Sequence, residues 1–368
     1  MKILWFSWKD ITHPEAGGAE FLGDKMSAEL VKDGHEVIHI VGGYKNCAKK
    51  QKHNGYTIVR LGNKFTVYWE AFRYYQKNLK GWADVIIEEI NTIPFMTQWY
   101  AKERRTLLIY QLCREIWFYQ LFFPLNLIGF LVEPIYLWLL RNNKVLTESN
   151  STKVDLMRYG FQEKNISIFP IFTDMVPIKS LKEKKPYDHF TILSFGAIRS
   201  MKRTLHQIQA FEFAKKQIPE LQMKIAGKPV GEYGTKVLEY IKNSPYKDDI
   251  EYLGRVTREQ KIELLQKSHV ILVTSVKEGW GLIVTEAASQ GTPAIVYNVD
   301  GLRDSVEDGK TGIVSNVRLT QKAISQAIMS LFHDRRQYVA MSTRSIESAG
   351  SYAKKSMLHE FKKSLSKL

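Results

Sequence analysis

The chain has 368 residues, of which 44% are hydrophobic and 25% are charged, and these are values of folded globular proteins. This length predicts two domains, each large enough to bury a core of its own. The only two cysteines, Cys47 and Cys113, exclude a disulfide framework and a cysteine metal site, and they fit a reducing cytoplasm.

The formal net charge of +15 makes anionic lipid headgroups, anionic substrates and nucleic acid the candidate partners. The chain has no nucleic-acid-binding motif and no arginine-rich tract, so we expect no nucleic-acid partner. The alternative is that the lysines serve only solubility. The apolar run at residues 1–10 is too short for a signal peptide and predicts a first strand. We therefore expect a cytoplasmic protein, peripheral on the inner face of the membrane if lipid is the partner.

Strand-like runs alternate with helical runs along the whole chain, which predicts an α/β protein with two doubly wound domains. The predicted strands cover residues 2–7, 36–41, 57–61, 85–89, 106–112, 190–195, 222–226, 250–253, 270–275 and 294–297. Prolines and a charged run at residues 170–185 predict a linker. Residues 351–368 show helical periodicity, with apolar positions at Tyr352, Met357, Leu358, Phe361 and Leu365.

Two glycine-containing turns connect predicted strands to helices. Gly17 and Gly18 follow the first strand and precede an amphipathic helix that runs to Lys32. Paired glycines at such a turn allow a phosphate or sugar to approach the backbone, although many of these turns have no ligand.

The second turn, Glu278-Gly279-Trp280-Gly281-Leu282, follows the predicted strand at residues 270–275 and opens a helix that ends at Gly291. The free N–H groups and the dipole of that helix favour an anion at its start. Glu278 precedes the anion site, and Glu286 lies inside the helix, roughly 9 Å further along. This spacing suits a nucleotide-sugar: one carboxylate reaches sugar hydroxyls and the other reaches ribose hydroxyls. The alternative is that both glutamates are ordinary solvated charges.

At this segment the chain resembles the retaining family-4 glycosyltransferases of GT-B fold, whose donor site has a Glu-Gly-aromatic-Gly-Leu segment and a second Glu. The resemblance covers nearly the whole chain. It implies an acceptor-binding domain at residues 1–172, a donor-binding domain at 173–350 that faces it across a cleft, and a helix at 351–368 that returns to the first domain. It also implies that Gly17 and Gly18 face the donor diphosphate.

Further donor contacts follow from the resemblance. Gly279, Trp280, Gly281 and the amide of Leu282 would hold the diphosphate, Glu278 would position the sugar, and Glu286 would bind the ribose. Gly196 and Lys202 match a family pattern of glycine, arginine, leucine and a later lysine, but Ala197 stands in place of the arginine. Arg199 or Arg203 would supply that charge, Lys202 would assist the leaving group, and Val256 lies where the family's backbone contacts the base.

Aromatic-rich stretches at residues 67–80 and 117–140 belong to the first predicted domain. The second is nearly all apolar, but Pro124, Glu133 and Pro134 argue against a membrane span. A buried helix pair is one interpretation, and attachment to an anionic membrane interface is another. Nearby, residues 113–118 and 147–153 resemble a subgroup of the same family, so Gln111, Arg114 and Glu115 are candidate acceptor-side residues. Many relatives have a histidine where this chain has Tyr110 and Gln111.

The sequence therefore predicts a glycosyltransferase that moves a sugar from a nucleotide-diphosphate donor, UDP- or GDP-linked, to a hydroxyl of a glycan or lipid-linked acceptor. The resemblance implies retention of anomeric configuration. Neither the resemblance nor the residues predict a metal or another cofactor. The alternative is a transferase-like scaffold without activity, which the loss of the arginine at Ala197 and of the histidine favours. A phosphorylase or epimerase of the same fold is a further alternative.

Overall fold

The computed structural model describes residues 1–169, 171–315, 320–351 and 354–366. The chain divides into two compact units, Met1–Pro170 with Lys355–Leu368, and Ile171–Lys354. Pro170 and Tyr352, which belong to the predicted linker and to the predicted C-terminal helix, lie outside the described residues, and so do residues 353, 367 and 368.

The first unit has one eight-stranded sheet with the order β3-β4-β2-β1-β5-β6-β7-β8. All neighbouring strands are parallel except β3 and β4, which form a hairpin. The strands are β1 Lys2–Phe6, β2 Glu36–Gly42, β3 Lys50–His53, β4 Tyr56–Leu61, β5 Val85–Glu89, β6 Arg104–Leu108, β7 Val145–Thr147 and β8 Ile166–Ile168.

Helices cover the sheet of the first unit, and a helix from the C-terminal end of the chain belongs to the same unit. They are α1 Gly18–Lys32, α2 Val67–Tyr74 with a π-helical turn at Tyr75–Leu79, α3 Trp117–Gln120, α4 Leu125–Leu140, α5 Asn150–Arg158 and the returning α13 Lys354–Ser366. Phe361 of α13 is fully buried, with its ring centroid 6.1 Å from that of Trp5 and 6.2 Å from that of Phe169.

The second unit has a six-stranded parallel sheet with the order β11-β10-β9-β12-β13-β14. Its strands are β9 Thr191–Phe195, β10 Gln222–Ala226, β11 Ile250–Gly254, β12 Val270–Val273, β13 Ala294–Tyr297 and β14 Gly312–Ser315. Its helices are α6 Thr204–Lys215, α7 Gly231–Asn243, α8 Arg258–Lys267, α9 Leu282–Ser289, α10 Leu302–Ser305, α11 Thr320–His333 and α12 Arg335–Ser351. Two doubly wound sheets confirm the predicted fold class.

Several predicted boundaries are wrong. The strand predicted at 106–112 is Arg104–Leu108, because pairing with β5 and β7 stops at Leu108. The strand predicted at 270–275 ends at Val273, where the chain leaves the sheet. Strands β3, β7, β8 and β14 were not predicted: β3 is polar, and the other three have only three or four residues.

The segment predicted as a linker is attached to the second unit. Met175 belongs to a core cluster of that unit, and Ile178 donates its N–H to the carbonyl of Ser289 at 2.9 Å. Buried Lys184 donates from Nζ to the carbonyl of Gln266 at 2.9 Å, and burial lowers its pKa to about 7. Apolar burial and these hydrogen bonds outweigh the turn-forming composition of the segment.

Candidate active site

The second sheet has a topological switch point between β9 and β12. From β9 the chain builds outward through β10 and β11, and β12 then returns to the other side of β9. Loops that leave the carboxyl ends of two such strands diverge and leave a crevice, where ligands of doubly wound sheets bind. The loop after β9 carries Lys202, and the loop after β12 carries Glu278.

These two side chains form an ion pair between Lys202 Nζ and Glu278 Oε1. The Ser275 hydroxyl donates to the same carboxylate oxygen at 2.5 Å. Burial alone would raise the pKa of Glu278, but the charge and hydrogen bond of Lys202 and the hydroxyl of Ser275 lower it below its ordinary value. The site therefore holds a carboxylate, which accepts hydrogen bonds, next to a cation.

The loop after β9 is fixed to the end of β12. Thr274 Oγ1 donates to the carbonyl of Lys202 at 3.0 Å, and Val276 N–H donates to the carbonyl of Met201 at 2.8 Å. Arg199 is exposed, and its charge helps to lower the pKa of Glu278. Arg203 adopts a left-handed conformation, and its guanidinium lies 5.8 Å above the Tyr297 ring. The structure thus brings Lys202 and Arg199 towards Glu278, whereas Arg203 stacks on an aromatic ring.

The glycine-rich turn forms the start of α9. Gly281 has φ +96°, and a methyl group on it would lie 2.8 Å from Leu302 Cδ2, so both backbone and packing require glycine there. Trp280 Nε1 donates to Thr285 Oγ1 at 2.9 Å, which fixes the indole against the helix. The amides of Leu282 and Ile283 follow this turn at the start of α9, and Val284 N–H donates to the carbonyl of Gly281 at 2.8 Å.

The loop after β13 supports the Glu278 loop. Glu278 N–H donates to the carbonyl of Asp300 at 3.1 Å, and Lys277 Nζ donates to Asp300 Oδ2 at 2.6 Å. Gly301 has φ +78°, and a methyl group on it would overlap the carbonyls of Glu278 and Gly279. The segment at residues 300–304 therefore determines where the backbone of Glu278 lies.

Glu286 has a partner that sequence reasoning did not find. Lys261 Nζ of α8 donates to Glu286 Oε1 at 2.6 Å and lies 5.2 Å above the ring of Phe195. Burial raises the pKa of Glu286 above its ordinary value, although Lys261 opposes this shift. Val256 and Phe195 are half-buried and pack against one hydrophobic cluster of this unit. No local motif marks Lys261, because it is 25 residues from Glu286.

Three adjacent strands end in glycines with positive φ. Gly196, Gly227 and Gly254 follow or end β9, β10 and β11, with φ of +126°, +153° and +65°. Gly196 N–H donates to the carbonyl of Ala226, and Gly227 N–H donates to that of Gly254. A methyl group on Gly227 would overlap the Gly196 carbonyl, whereas one on Gly196 would meet open space. Main chain therefore forms much of this glycine-lined edge, and the Tyr252 hydroxyl donates to the Gly227 carbonyl there at 3.1 Å.

In the first unit, Gly17 and Gly18 open α1. Gly17 N–H donates to Glu20 Oε2 at 2.6 Å, and Lys9 Nζ lies 3.7 Å from Glu20 Oε1. Gly17 has φ −131°, and a methyl group there would make only an ordinary contact, 3.6 Å from Glu20. Neither the backbone nor the packing within this unit requires glycine at position 17.

The switch point of the first sheet, between β1 and β5, contains a buried carboxylic acid that was not predicted. Glu89 accepts hydrogen bonds from Trp5 Nε1 at 3.0 Å and from Asn91 Nδ2 at 2.8 Å. Burial and the nearby charge of Glu20 raise the pKa of Glu89 to about 7. Tyr110 is buried close to these carboxylates, and burial raises the pKa of its phenol well above the ordinary value.

The predicted acceptor-side residues have three different environments. Gln111 Oε1 is buried without a hydrogen-bond partner among the described residues, whereas Glu115 is exposed. Arg114 is bound into the helix pair of this unit: its Nη1 donates to the carbonyl of Phe130 at 3.2 Å and lies 3.7 Å from Glu133 Oε2. Among the described residues, no three histidine, cysteine, aspartate or glutamate side chains are grouped so as to hold a metal ion.

Residues 177–348 match the family of glycosyl transferases group 1. The group 1 match begins before β9 and ends in α12, so it includes Lys202, Lys261, Glu278 and Glu286.

A curated relative, poly(glycerol-phosphate) alpha-glucosyltransferase of Bacillus subtilis (strain 168), is 31% identical over 170 residues, which is 46% of this chain and 24% of that protein. The chain spans 24%, 34% and 40% of the lengths of three curated relatives that it matches.

Solved structures match over the whole length of the chain. Sucrose-phosphate synthase from Thermosynechococcus elongatus has a TM-score of 0.82 at 17% identity, over 100% of this chain and 98% of that one. HepE from Anabaena, solved in complex with UDP and glucose, has a TM-score of 0.74 at 14% identity over 100% of both chains. The likeness to these structures confirms the GT-B fold.

Proposed function

We propose that the chain is a retaining glycosyltransferase, which moves a sugar from a nucleotide-diphosphate donor to a hydroxyl of a glycan or lipid-linked acceptor. The observation that carries this proposal is the Lys202–Glu278 ion pair at the switch point, directly before the start of α9. A cation, a carboxylate and the amides that begin α9 match the three parts of a sugar diphosphate: phosphate charge, sugar hydroxyls and phosphate oxygens.

The leaving group is the nucleoside diphosphate. Negative charge grows on its terminal phosphate as the bond to the anomeric carbon breaks. The ammonium of Lys202 and the amides at the start of α9, beginning with Leu282, stabilise that charge. The small Gly279 and Gly281 let the phosphates approach the backbone beside Trp280. This scheme uses no metal ion, because Lys202 and the helix supply the positive charge.

Glu278 positions the donor sugar. Its lowered pKa keeps it a carboxylate, so it accepts hydrogen bonds from sugar hydroxyls, while Lys202 turns to the phosphate. The acceptor oxygen forms its bond to the anomeric carbon on the face that the diphosphate leaves. The acceptor proton passes to an oxygen of the departing phosphate, so no side chain is a covalent nucleophile.

The nucleoside lies towards β11 and α8. Glu286 accepts hydrogen bonds from the ribose hydroxyls, with Lys261 holding the carboxylate in place, and the base lies along the glycine-lined edge near Val256. UDP is the first nucleotide to test, since HepE of the same fold was solved with UDP.

A scaffold without transferase activity is the second candidate, because Ala197 stands where the resembling family has arginine. In this structure Lys202 and Arg199 supply cationic charge near Glu278. A scaffold would bind no nucleotide or would bind it without turnover.

Thermal unfolding with UDP, GDP, ADP and CMP tests the donor site. A nucleotide at about 100 times its Kd adds roughly 2.7 kcal/mol of stability. We expect one diphosphate to stabilise the parent chain and to have a much smaller effect on Glu286→Ala. Glu263→Ala is a matched control, since this glutamate pairs with Lys267 on the exposed side of α8. No shift with any nucleotide would overturn the proposed donor site.

A further inference from the structure

Helix α4 exposes apolar side chains and buries its charged one, which is the reverse of a surface helix in water. Leu131, Ile135 and Trp138 are 58%, 58% and 54% exposed, whereas the only charged residue of the helix, Glu133, is 1% exposed. The exposed positions recur every three or four residues, as one face of a helix requires, and all of them are apolar: Leu125, Leu127, Ile128, Leu131, Val132, Ile135 and Trp138. Soluble surfaces rarely expose an apolar face of this kind.

Hydrogen bonds to buried Glu133 determine which face of α4 points inward. Glu133 accepts hydrogen bonds from Cys113 N–H at 2.7 Å, from Arg114 N–H at 2.6 Å and from Trp117 Nε1 at 3.0 Å. Gly129 lies against the Trp117 ring, where an added methyl group would be 2.5 Å from the ring atoms. These contacts hold the inner face of α4 against the protein and leave the apolar face outside. The interpretation as a buried helix pair is therefore correct for the inner face of α4 and wrong for its outer face.

Exposed aromatic residues continue next to the helix. Gln98 donates to the carbonyl of Leu139 at 3.2 Å, which joins the C-terminal end of α4 to the turn with Trp99. Tyr100 of that turn contacts Phe72 of α2, and Phe72 contacts Trp69. Trp69 and Trp99 are each 63% exposed, and Phe122 and Phe123 precede α4 on the exposed surface. Tryptophans of this kind are typical of a boundary between water and lipid.

Cations accompany these aromatics. Residues 64–80 contain four lysines and arginines against one glutamate, and residues 97–144 contain six against three, one of which is buried Glu133. Arg141 stacks on the Trp138 ring at 3.9 Å, at the end of the apolar face. This excess of positive charge is complementary to anionic lipid headgroups, whereas it would repel a second copy of the same basic face.

We infer that α3, α4 and the turn at Trp99 form a surface that inserts into one leaflet of an anionic bilayer. Among the residues that the structure describes, none of the helices has both the length and the apolar composition of a membrane span. With 16 residues, α4 is shorter than the roughly 20 that a span needs, so its apolar face lies along the interface. Membrane binding itself does not depend on the proposed function. If the chain is a glycosyltransferase, this surface favours an acceptor whose hydroxyl is lipid-linked and presented at the bilayer surface.

Vesicle co-sedimentation of the full chain tests the surface directly. The probes are vesicles of phosphatidylcholine alone and of phosphatidylcholine with 30% phosphatidylglycerol. We expect the parent to bind the anionic vesicles, and Leu131→Gln with Ile135→Gln to reduce the bound fraction at least fivefold. The matched control is Phe213→Gln with Val339→Gln, which changes two exposed apolar helix positions in the second unit and should bind like the parent.

Three results would overturn the inference: no binding to either vesicle, equal binding by the Leu131→Gln and Ile135→Gln double variant, or a dimer that this variant dissociates in light scattering. The last result would assign the face to a second copy of the chain. Nucleotide-induced thermal shifts are measured on the same samples, so a failed membrane surface is distinguishable from a failed donor site.

Discussion

At the scale of single residues, Glu278 differs from the many surface glutamates of this chain because its carboxylate has both a cation and a hydroxyl on one oxygen. We expect Glu278→Gln to lower transfer from a nucleotide-sugar by about 100-fold or more, because an amide is a weaker acceptor than a carboxylate for sugar hydroxyls. Turnover is measured with the nucleotide-sugar of the diphosphate that stabilises the chain.

The nucleotide-induced thermal shift serves as the control for Glu278→Gln, since the diphosphate binds mainly to α9 and Lys202 in our scheme. Retention of that shift with loss of turnover is the expected pair of results. Full transfer activity in the variant would show that Glu278 does not position the sugar.

Glu89 gives a second prediction at this scale, on stability against pH. Its pKa is about 7 in the folded protein against 4.5 without the fold, so between these values the folded state binds more protons than the unfolded state. The free energy of unfolding therefore falls as pH rises from 4.5 to about 7, by at most about 3 kcal/mol from this group. We expect Glu89→Gln to flatten that fall in urea denaturation at a series of pH values. An unchanged pH profile would contradict the raised pKa.

At the scale of elements, the loop after β13, with Asp300 and Gly301, supports the backbone of Glu278 in the loop after β12. We expect Gly301→Ala to reduce turnover about tenfold or more, because the added methyl group displaces the carbonyls of Glu278 and Gly279. Gly309→Ala is the matched control: it has a similar φ of +72°, but no atom lies within 4 Å of an added methyl group. Both variants incur backbone strain, so equal losses of activity would show that strain alone is responsible.

Helix α4 allows a similar comparison. Replacing an exposed glycine inside a helix with alanine usually raises the free energy of unfolding by up to about 1 kcal/mol. Gly129→Ala should instead destabilise the first unit by about 1–3 kcal/mol, because the methyl group overlaps the Trp117 ring. Thermal or urea unfolding measures the difference. A stabilised variant would mean that Trp117 is not held against α4.

The sequence predicted elements best where one local pattern decides them. The apolar runs of β5, β10 and β13 were located to the residue, and the turn at Gly279–Gly281 was found from its glycines. Strand β3 was missed because its residues, Lys50 to His53, are polar, and pairing with β4 alone makes them a strand. Lys261 and Glu89 were missed because their roles depend on partners that are distant in sequence.

At the scale of the whole molecule, the first unit is completed by the end of the chain. Phe361 is fully buried against Trp5 and Phe169, although the entire second unit separates it from them in sequence. We expect Phe361→Ala to destabilise the first unit by roughly 3 kcal/mol or more. Hydrogen exchange should increase in peptides of β1, while Phe213→Ala, at an exposed position of the second unit, leaves them unchanged. Unaltered exchange in β1 would contradict the packing of α13.

The glycine-lined edge at Gly196, Gly227 and Gly254 limits how this protein can change over evolution or in the laboratory. A point mutation changes a side chain, but it leaves main-chain groups in place. At Gly227 an added methyl group would also overlap the Gly196 carbonyl. In our proposal, a change of donor preference therefore has to come from flanking side chains such as Val256 and Lys261. A library at Val256, in the loop after β11, and at Lys261 of α8 would test this without changing a strand residue.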